Sequence, residues 1–436
     1  MVLHILKLGR SGYLILSLFT AVSLKTLAAN DQPFVGSEQI SSIELVEAVL
    51  SRNPTLPAMQ AAWEATRARI EQASALDDPI LAYTVAPRTV GAAGLDFGQK
   101  LELSQRLPWP GKRRLRGEAA RYTADAAHEN IETLRLKLVA AAKSIFADWY
   151  YVDQAIRINR VNQDLLKEFR RIAEIKYGTG RGTKQDVLRA DVEIQFLEYQ
   201  AIVLERERRD VRSQINTLLN RAPAQFVPPP MPLPDPGSLP DVELLRTRAV
   251  ESRPNLKGLA AQVRASKART DLAQREFYPD FNVTAGYNSL WDPEEKRFTV
   301  GVGINLPLDQ GKRRAAEDEA RARMKQADWE LIDEMSVIAG EVQRAYDRVE
   351  ESRQVLALFR ERLLPIAEEN LEAAKLDYHA GIGDFLTLIS AEENLMQTQL
   401  QSQRTLADYH RSMAELERSV GGFARVDLNT LRRNEP

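Results

Sequence analysis

A segment that occurs twice constrains the fold of this chain more than any other feature. Residues 177–191 and 378–392 share a tyrosine, two glycines and a later alanine at a constant separation of 201 positions. In each copy a long helical pattern ends at the tyrosine, the glycines permit a reversal, and a capping residue, Thr183 or Asp384, opens a second helix. The sequence therefore predicts two helical hairpins with matching tips.

The duplication extends well beyond these tips. Ser-Arg-Asn-Pro at 51–54 resembles Ser-Arg-Pro-Asn at 252–255, and Gly-Lys-Arg-Arg occurs at both 111–114 and 311–314. A separation near 200 residues makes each repeat almost half of the chain, far longer than a solenoid repeat. We predict a signal peptide at 1–29, a first repeat at 30–222, a proline-rich linker at 223–240, a second repeat at 241–422 and a tail at 423–436.

The first 29 residues have the order of a secretory signal peptide. Lys7 and Arg10 precede an apolar run at 13–24, and small residues end at Ala29. The alternative is an N-terminal membrane anchor or a buried helix, although the run is too short to span a membrane comfortably. Downstream of residue 29 no apolar run reaches spanning length, and cysteine is absent, so an exported chain would form no disulfide.

Each half is predicted to open with a helix and to continue into two strands. The first helix extends from a capping box at Ser41 to Leu76, and its counterpart extends from Asp241 to Phe277. The period then changes from about 3.6 to 2 residues, which predicts strands at 80–87, 95–107, 281–287 and 298–306. Such strands fit either a tilted outer-membrane strand or a sheet with one wet face in a soluble protein. Because four strands cannot close a barrel, the membrane interpretation requires several chains to pool their strands.

The longest helical patterns follow the strands, at 112–177 and 312–378. Each would extend for about 95–100 Å, far more than a globular domain needs. Apolar residues step by three and four positions, as in a coiled-coil seam. The predicted seam positions are Leu138, Ala142, Ile145, Trp149, Val152 and Ile156 in the first helix, and Val342, Ala345, Val349, Ser352, Leu356, Phe359, Leu363 and Ile366 in the second.

Return helices at 184–219 and 385–420 are expected to complete an elongated antiparallel bundle. Between the halves, the linker contains eight of the 21 prolines and is predicted to cross the bundle in an extended conformation. The predicted fold is therefore mainly α-helical, a long antiparallel coiled-coil bundle with four strands per chain.

The sequence contains no catalytic signature. Without cysteine and with four scattered histidines it lacks a thiol triad, a metalloprotease pair or zinc-finger spacing, so we predict neither an enzyme nor a cofactor or metal site. The loop at 178–184 superficially suggests phosphate binding, but it follows a helix and lacks the P-loop spacing. A net charge of -2 does not favour a nucleic-acid partner.

Two basic clusters are more consistent with a membrane surface than with nucleic acid, because each directly follows a strand. They consist of Lys112, Arg113, Arg114, Lys312, Arg313 and Arg314. Positive charge at a helix N-terminus opposes the helix dipole, so a local acceptor is expected for each cluster. Four acidic residues near the tips could line a cation-selective constriction or serve only as helix caps and solvated charges. These are Asp186, Asp191, Asp384 and Glu392.

The order and doubling of these elements resemble the TolC family of outer-membrane efflux proteins, from about Glu38 to Gly422. The resemblance rests on the duplicated halves, the strand pairs, the long and return helices, the proline-rich linker and the Tyr-x-x-Gly tips at 177–180 and 378–381. The segment Leu-Pro-Trp-Pro-Gly-Lys at 107–112 is similar to the strand-to-helix junction of the CzcC-like heavy-metal branch.

The resemblance implies a homotrimer whose twelve pooled strands form one membrane β-barrel, continued into the periplasm by an α-helical tunnel. It implies a passive exit duct in a Gram-negative outer membrane, joined by a periplasmic adaptor to an RND-type or other inner-membrane pump. The tips would dock the adaptor through Tyr177, Gly178, Thr179, Gly180, Arg181, Tyr378, Ala380, Gly381 and Ile382. The family's gate aspartates fall on Thr387 and Ser390, and Asp384 is the substitute candidate for a charged gate.

The predicted function is therefore the outer-membrane channel of a tripartite efflux or secretion system, with heavy-metal cations, drugs, dyes and peptides open as cargo. A periplasmic coiled-coil adaptor is one alternative, disfavoured because adaptors need a single hairpin. A structural coiled-coil protein is another, disfavoured by the export signal and the alternating strands.

Overall fold

The computed structural model describes residue 34, residues 36–91 and residues 97–422. The architecture below is that of the unit that begins at Glu38. The predicted signal peptide, the first two residues of the second predicted strand and the predicted tail lie outside the described residues. The elements follow one another as two helices, two strands, a long helix and a return helix, and this order recurs after the linker.

A proline divides each opening helix in two, where the sequence pattern predicted one continuous helix. Asn53 and Arg253 are extended, because the residue before a proline disfavours helical geometry. The prediction of continuous helices is therefore wrong at these two breaks, whereas the predicted capping box at Ser41 is confirmed. The four segments are α1 (Ser42–Arg52), α2 (Thr55–Ser74), α5 (Val242–Ser252) and α6 (Pro254–Arg275).

The long helix of the first half is uninterrupted, and that of the second half is not. The first, α3 (Lys112–Gly178), has 67 residues and is about 100 Å long. Its predicted seam is buried except at Ile156, which is partly exposed. In the second half, Pro365 follows a π-helical segment; since proline has no N–H, the regular hydrogen-bond ladder is interrupted there. The three successive segments are α7 (Gln310–Leu358), the π-helical segment Phe359–Leu363 and α8 (Leu364–Ala380).

The π-helical segment moves the buried seam of the second long helix by one residue. Leu356 is buried as predicted, but Leu363 is 38% exposed and Ile366 is 63% exposed. A π turn holds more residues than an α turn, so the rhythm of three and four restarts one position later. The prediction of Leu363 and Ile366 as seam residues is wrong for this reason. The positions buried beyond the π turn are Ala367, Leu371, Ala374 and Tyr378.

The return helices bring the two hairpins together. The first, α4 (Lys184–Leu218), lies against α3, and the second, α9 (Phe385–Val420), lies against α3, α7 and α8. Near the tips one apolar cluster, here called the tip core, joins all of α3, α4, α8 and α9. It includes Phe169, Ile194, Leu371 and Leu388. The two tips therefore share a single core rather than two separate ones.

Residues 223–240 contain neither helix nor strand beyond a bridge between Ile40 and Pro230. Trp149 of α3 donates its indole N–H to the carbonyl oxygen of Pro228 at 2.8 Å. His410 Nε2 of α9 lies 2.8 Å from the carbonyl oxygen of Pro234. This segment therefore contacts helices from both halves.

The strands form one antiparallel sheet in the order β1-β2-β3-β4. They are β1 (Ile80–Val85), β2 (Gln99–Leu107), β3 (Phe281–Asn288) and β4 (Phe298–Ile304). Paired residues of an antiparallel sheet point to the same face, so the register defines two apolar rows. The first row consists of Tyr83, Leu101, Tyr287 and Phe298. The second row consists of Leu81, Leu103, Ala285 and Val300. One face is therefore apolar, while Glu102, Ser104 and Thr284 belong to the opposite face.

Candidate functional site at the helical tips

Both tips combine a left-handed glycine with a capped helix start. Gly180 has a φ of 71° and Gly381 a φ of 82°, a backbone conformation that favours glycine. Thr183 accepts a hydrogen bond from the N–H of Asp186, and Asp384 accepts one from the N–H of Thr387 at 2.6 Å. The predicted capping residues are confirmed, and they fix where α4 and α9 begin.

The tips differ in the burial of their tyrosines. Tyr177 is half exposed, whereas Tyr378 is buried with its ring centroid 5.4 Å from that of Phe385. The Tyr378 hydroxyl has no hydrogen-bond partner among the described residues. Burial, with a smaller contribution from the charge of Asp186, raises the pKa of Tyr378 to about 12. The hydroxyl therefore remains neutral throughout the physiological pH range.

A lysine joins the two tips. Lys176 donates a hydrogen bond to the carbonyl oxygen of Tyr378, and its ammonium lies 4.1 Å from the centroid of the Tyr378 ring. A cation over an aromatic face is attracted by the ring quadrupole. The contact therefore ties the end of α3 to the end of α8. Sequence reasoning missed it, because no local pattern indicates a contact between residues 202 positions apart.

The predicted docking residues lie at the end of the bundle and are exposed, except for Tyr378. The exposed members are Tyr177, Gly178, Thr179, Gly180, Arg181, Ala380, Gly381 and Ile382. Ile382 is 80% exposed, and Ile175 and Leu386 are also exposed. A group of exposed apolar side chains in one place suits a protein interface. Adaptor docking through these residues remains a prediction.

The three candidate gate residues are exposed at the start of α9, where Asp384 is the N-cap. Asp384, Thr387 and Ser390 follow one another at intervals of three, while Leu388 and Ile389 are buried in the tip core. Hydrogen bonding with Thr387 holds the pKa of Asp384 below its usual range. The start of α9 therefore presents one ionised and two neutral polar side chains.

The other acidic residues near the tips lie on α4 or are buried. Asp186 completes the capping box of α4, and Asp191 forms an ion pair with Arg170 of α3. Glu392 is buried, although sequence reasoning placed it among candidates for a constriction. A carboxyl group in that position cannot line a water-filled passage.

Lys112 departs from the prediction of a solvated basic cluster. Its side chain is 1% exposed, and Nζ donates to Asp280 Oδ1 at 2.8 Å, to Glu276 Oε2 at 3.0 Å and to the carbonyl oxygen of Tyr278 at 3.0 Å. The prediction that Lys112 faces the membrane surface is wrong, because a buried ammonium requires the acceptors that it finds here. The expected local acceptors are confirmed for this cluster.

The remaining basic residues lie nearer the surface. Arg113 donates to the carbonyl oxygen of Ser74 at 2.8 Å, and Arg313 donates to that of Glu276 at 2.8 Å. Arg114, Lys312 and Arg314 are exposed. Contact of these side chains with lipid head groups remains a prediction.

Asp280 connects the strand-to-helix junction of the first half to β3 of the second half. Besides Lys112, it accepts the backbone N–H of Trp109 at 3.0 Å and the guanidinium of Arg106 at 2.7 Å. Burial alone would raise the pKa of Asp280, but these hydrogen bonds outweigh burial and hold the pKa at about 2. Sequence reasoning missed Asp280. The junction at 107–112 pointed to Trp109 and Lys112 but not to their shared partner.

Among the described residues, no helix combines the length and the apolarity needed to cross a membrane. In that same part of the chain, no group of three or more His, Asp or Glu side chains is placed to hold a metal ion.

A four-stranded sheet with one apolar face, continued by long helical hairpins, is the architecture expected of the class of outer-membrane efflux proteins. The sequence profile described as "Outer membrane efflux protein" matches residues 45–221 and again residues 245–422. The chain belongs to this family, and its place is the outer membrane. The resemblance to the TolC family is thereby confirmed.

Individual relatives are distant in sequence. The chain is 22% identical over 311 residues to the cobalt-zinc-cadmium resistance protein CzcC of Cupriavidus metallidurans, covering 71% of this chain and 74% of the relative. It is 21% identical over 401 residues to the pyoverdine export outer membrane protein OpmQ of Pseudomonas aeruginosa, covering 89% of this chain and 82% of OpmQ. The solved structure of the outer-membrane channel OprN has the same fold, with a TM-score of 0.76 at 21% identity, covering 90% of this chain and 94% of OprN. The matching family is one of efflux proteins, and none of these comparisons indicates a catalytic family.

Proposed function

We propose that three copies of this chain form a passive exit duct, in which pooled strands close a barrel in the outer membrane and the helices form a tunnel in the periplasm. An inner-membrane pump and a periplasmic adaptor would deliver the substrate. The observation that carries this proposal is the sheet. Its apolar face is largely exposed and two of its strands are edges.

The edges of the sheet favour pairing with further copies. Among the described residues β1 and β4 each have one neighbouring strand, and β4 exposes Phe298, Val300 and Val302 by 70% or more. In lipid an unpaired edge is costly, because its N–H and C=O groups find no water. Closure with the edges of other copies removes that cost and turns the apolar face toward lipid.

The helical part also has an exposed apolar surface that suits packing against another copy of the chain. Apolar side chains of α4 form an exposed stripe at helical spacing, consisting of Leu188, Val192, Phe196, Tyr199 and Ile202. A stripe of this kind is typical of a helix that packs against a partner. It supports side-by-side packing of copies along the tunnel wall, which continues the contact made by the strands.

The two halves are proposed to be structural repeats with the boundaries 30–222 and 241–422, joined by the segment 223–240. The family profile matches twice, once in each half, and both halves have the same order of elements. In this proposal the protein performs no chemistry, and transport follows from a polar lumen and from tips that open when an adaptor docks.

Heavy-metal cations are the proposed cargo. Similarity to the cobalt-zinc-cadmium resistance protein supports this assignment, while similarity to the pyoverdine export protein supports an organic cargo. The metal and the organic cargo can be distinguished by measuring the zinc, cobalt and cadmium tolerance of a deletion strain with and without this chain. Restored tolerance would favour metal cations, because it requires metal export.

The first experiment is planar-bilayer conductance of the mature protein extracted from outer membranes, with the oligomer mass measured in parallel. We expect a trimer with small, cation-biased conductance, because closed tips that carry Asp384 restrict the passage. Replacing Asp384 by Ala removes both charge and helix cap, and conductance should rise by about two- to fivefold.

Two variants separate the cap from the charge. Asp384→Asn keeps a capping oxygen and removes only the charge, so it should lose cation bias with little change in conductance. Thr183→Ala removes the matching cap of the first hairpin, away from the candidate gate. A soluble monomer without conductance would refute the channel proposal and favour a periplasmic adaptor or a structural protein.

A further inference from the structure

One acidic side chain of α9 is buried between members of the tip core on the same helix. Glu392 is 3% exposed, and its Oε1 atom has no hydrogen-bond partner among the described residues. It lies one helical turn from Leu388 and one turn from Met396, both buried members of the tip core. A buried polar group without a partner is costly, so its retention calls for an explanation.

The charges that act on this carboxyl group are repulsive. Glu393 on its own helix and Glu193 on α4 both oppose its ionisation, and no charge from α3 or α8 among the described residues offsets them. Burial, followed by these two carboxylates, raises the pKa of Glu392 to about 7. The group is therefore neutral in mildly acidic solution and begins to ionise near neutrality.

The first hairpin provides an internal comparison. Asp191 occupies the position that corresponds to Glu392 at the separation of 201 residues. Its side chain is 43% exposed and forms an ion pair with Arg170. Both halves thus carry an acid at this position, but only that of the second half is buried without a partner. The buried acid, Glu392, therefore lies on α9, the helix that also carries the candidate gate residues Thr387 and Ser390.

We propose that Glu392 is a proton sensor that couples periplasmic pH to the packing of the second tip. With the carboxyl group protonated, α9 packs closely against α3, α4 and α8. When the proton is lost, the buried anion faces two carboxylates, and the tip segment of α9 loosens so that water can reach it. The proposal rests on the channel function only for its consequence at the gate.

The position of Glu392 explains how loosening would reach the gate. Ser390 is two residues away and Thr387 five, and both are exposed on the same helix. Helix α8, which holds the opposite side of this hairpin, joins α7 through the π-helical segment, where the regular hydrogen-bond ladder is interrupted. The second hairpin therefore has a place to bend that the first, with an uninterrupted α3, lacks.

The sign of the pH dependence follows from the surroundings of the Glu392 carboxyl group in the closely packed and in the loosened state of α9. In the loosened state the carboxyl group meets water and has an ordinary pKa near 4.3. Loosening therefore releases a proton at any pH between that value and about 7. The equilibrium constant for loosening rises with pH by at most about tenfold per unit in this window and levels off above it.

Hydrogen-deuterium exchange of the full mature protein in detergent tests the proposal without requiring conduction. After correction for intrinsic exchange rates, peptides covering 385–396 should exchange at least about tenfold faster at about pH 7 than at about pH 5. Peptides covering 184–195 in the first hairpin should show no such change. Equal behaviour of the two segments would overturn the proposal.

Three variants sharpen the test. Glu392→Gln should remove the pH dependence from residues 385–396, and the matched Asp191→Asn should leave it intact. Glu193→Gln removes one repelling carboxylate and should reduce the dependence, which provides a second test if Glu392→Gln does not fold. A pH dependence that persists in Glu392→Gln, or is unchanged in Glu193→Gln, contradicts the assignment.

Conductance over the same pH range distinguishes failure of the sensor from failure of the channel. Exchange that responds to pH in a protein that does not conduct supports the sensor and refutes the channel. Conductance together with exchange that ignores pH refutes the sensor and supports the channel.

Discussion

Lys112 Nζ lies 2.8 Å from Asp280 Oδ1, and the two side chains are 1% and 4% exposed. The pair joins the start of α3 in the first half to the start of β3 in the second half. Trp109 stacks on Tyr278 beside it, with 5.2 Å between ring centroids. A buried ion pair and an aromatic stacking contact therefore both stabilise the strand-to-helix junction.

Replacing Lys112 by Met should lower the free energy of unfolding by about 3 kcal/mol, because it leaves a buried carboxylate without its ammonium partner. Chemical denaturation of the purified protein in detergent measures this loss. The matched variant Lys312→Met alters the lysine at the corresponding position of the second half, and this side chain is exposed. Its effect should stay within about 0.5 kcal/mol, and equal losses in the two variants would contradict the assignment.

The same junction should make stability sensitive to acid. The pKa of Asp280 is about 2 in the folded protein and near 3.9 in an unfolded chain. The folded state thus binds the proton less readily, so the stabilisation is complete above about pH 4 and is lost as the pH falls toward 2.

The measurement is a difference between two proteins. Other carboxylates also titrate in this range, so the unfolding free energy of Asp280→Asn is subtracted from that of the natural chain at each pH. We expect the difference to shrink by about 2 kcal/mol between pH 5 and the acid limit. A difference that does not change with pH would mean that Asp280 does not carry the charge assigned to it.

The Tyr378 hydroxyl should be dispensable for stability. It is buried and has no hydrogen-bond partner among the described residues, so Tyr378→Phe removes an unsatisfied polar group. We expect no loss, or a gain of up to about 1 kcal/mol, in the free energy of unfolding. Tyr378→Ala, which also removes the ring beneath Lys176, should cost about 3–5 kcal/mol. A loss above 1 kcal/mol in Tyr378→Phe would indicate a hydrogen bond to a partner in the assembled protein.

Sequence periodicity was sufficient where structure depends on near neighbours. Local patterns predict the helix starts at Thr183 and Asp384, the alternating strands, and the part of the seam that precedes the π-helical segment. The structure agrees with these predictions. Patterns that depend on distant residues were not accessible. Lys112 could not be distinguished from Lys312, because its acceptors lie 164 to 168 positions away. The burial of Glu392 likewise depends on how three other helices pack around α9.

The seam of the second long helix provides the last test. Leu371 is buried and Ile366 is 63% exposed, the reverse of a seam that continued without the π-helical segment. Leu371→Ala should therefore cost about 2–5 kcal/mol of unfolding free energy, as expected for a cavity in a packed core. Ile366→Ala removes a side chain with little to pack against and should cost under about 1 kcal/mol. If the two costs were reversed in denaturation experiments, the rhythm of three and four would continue through Phe359–Leu363, and the buried seam of α8 would have to include Ile366 in place of Ala367.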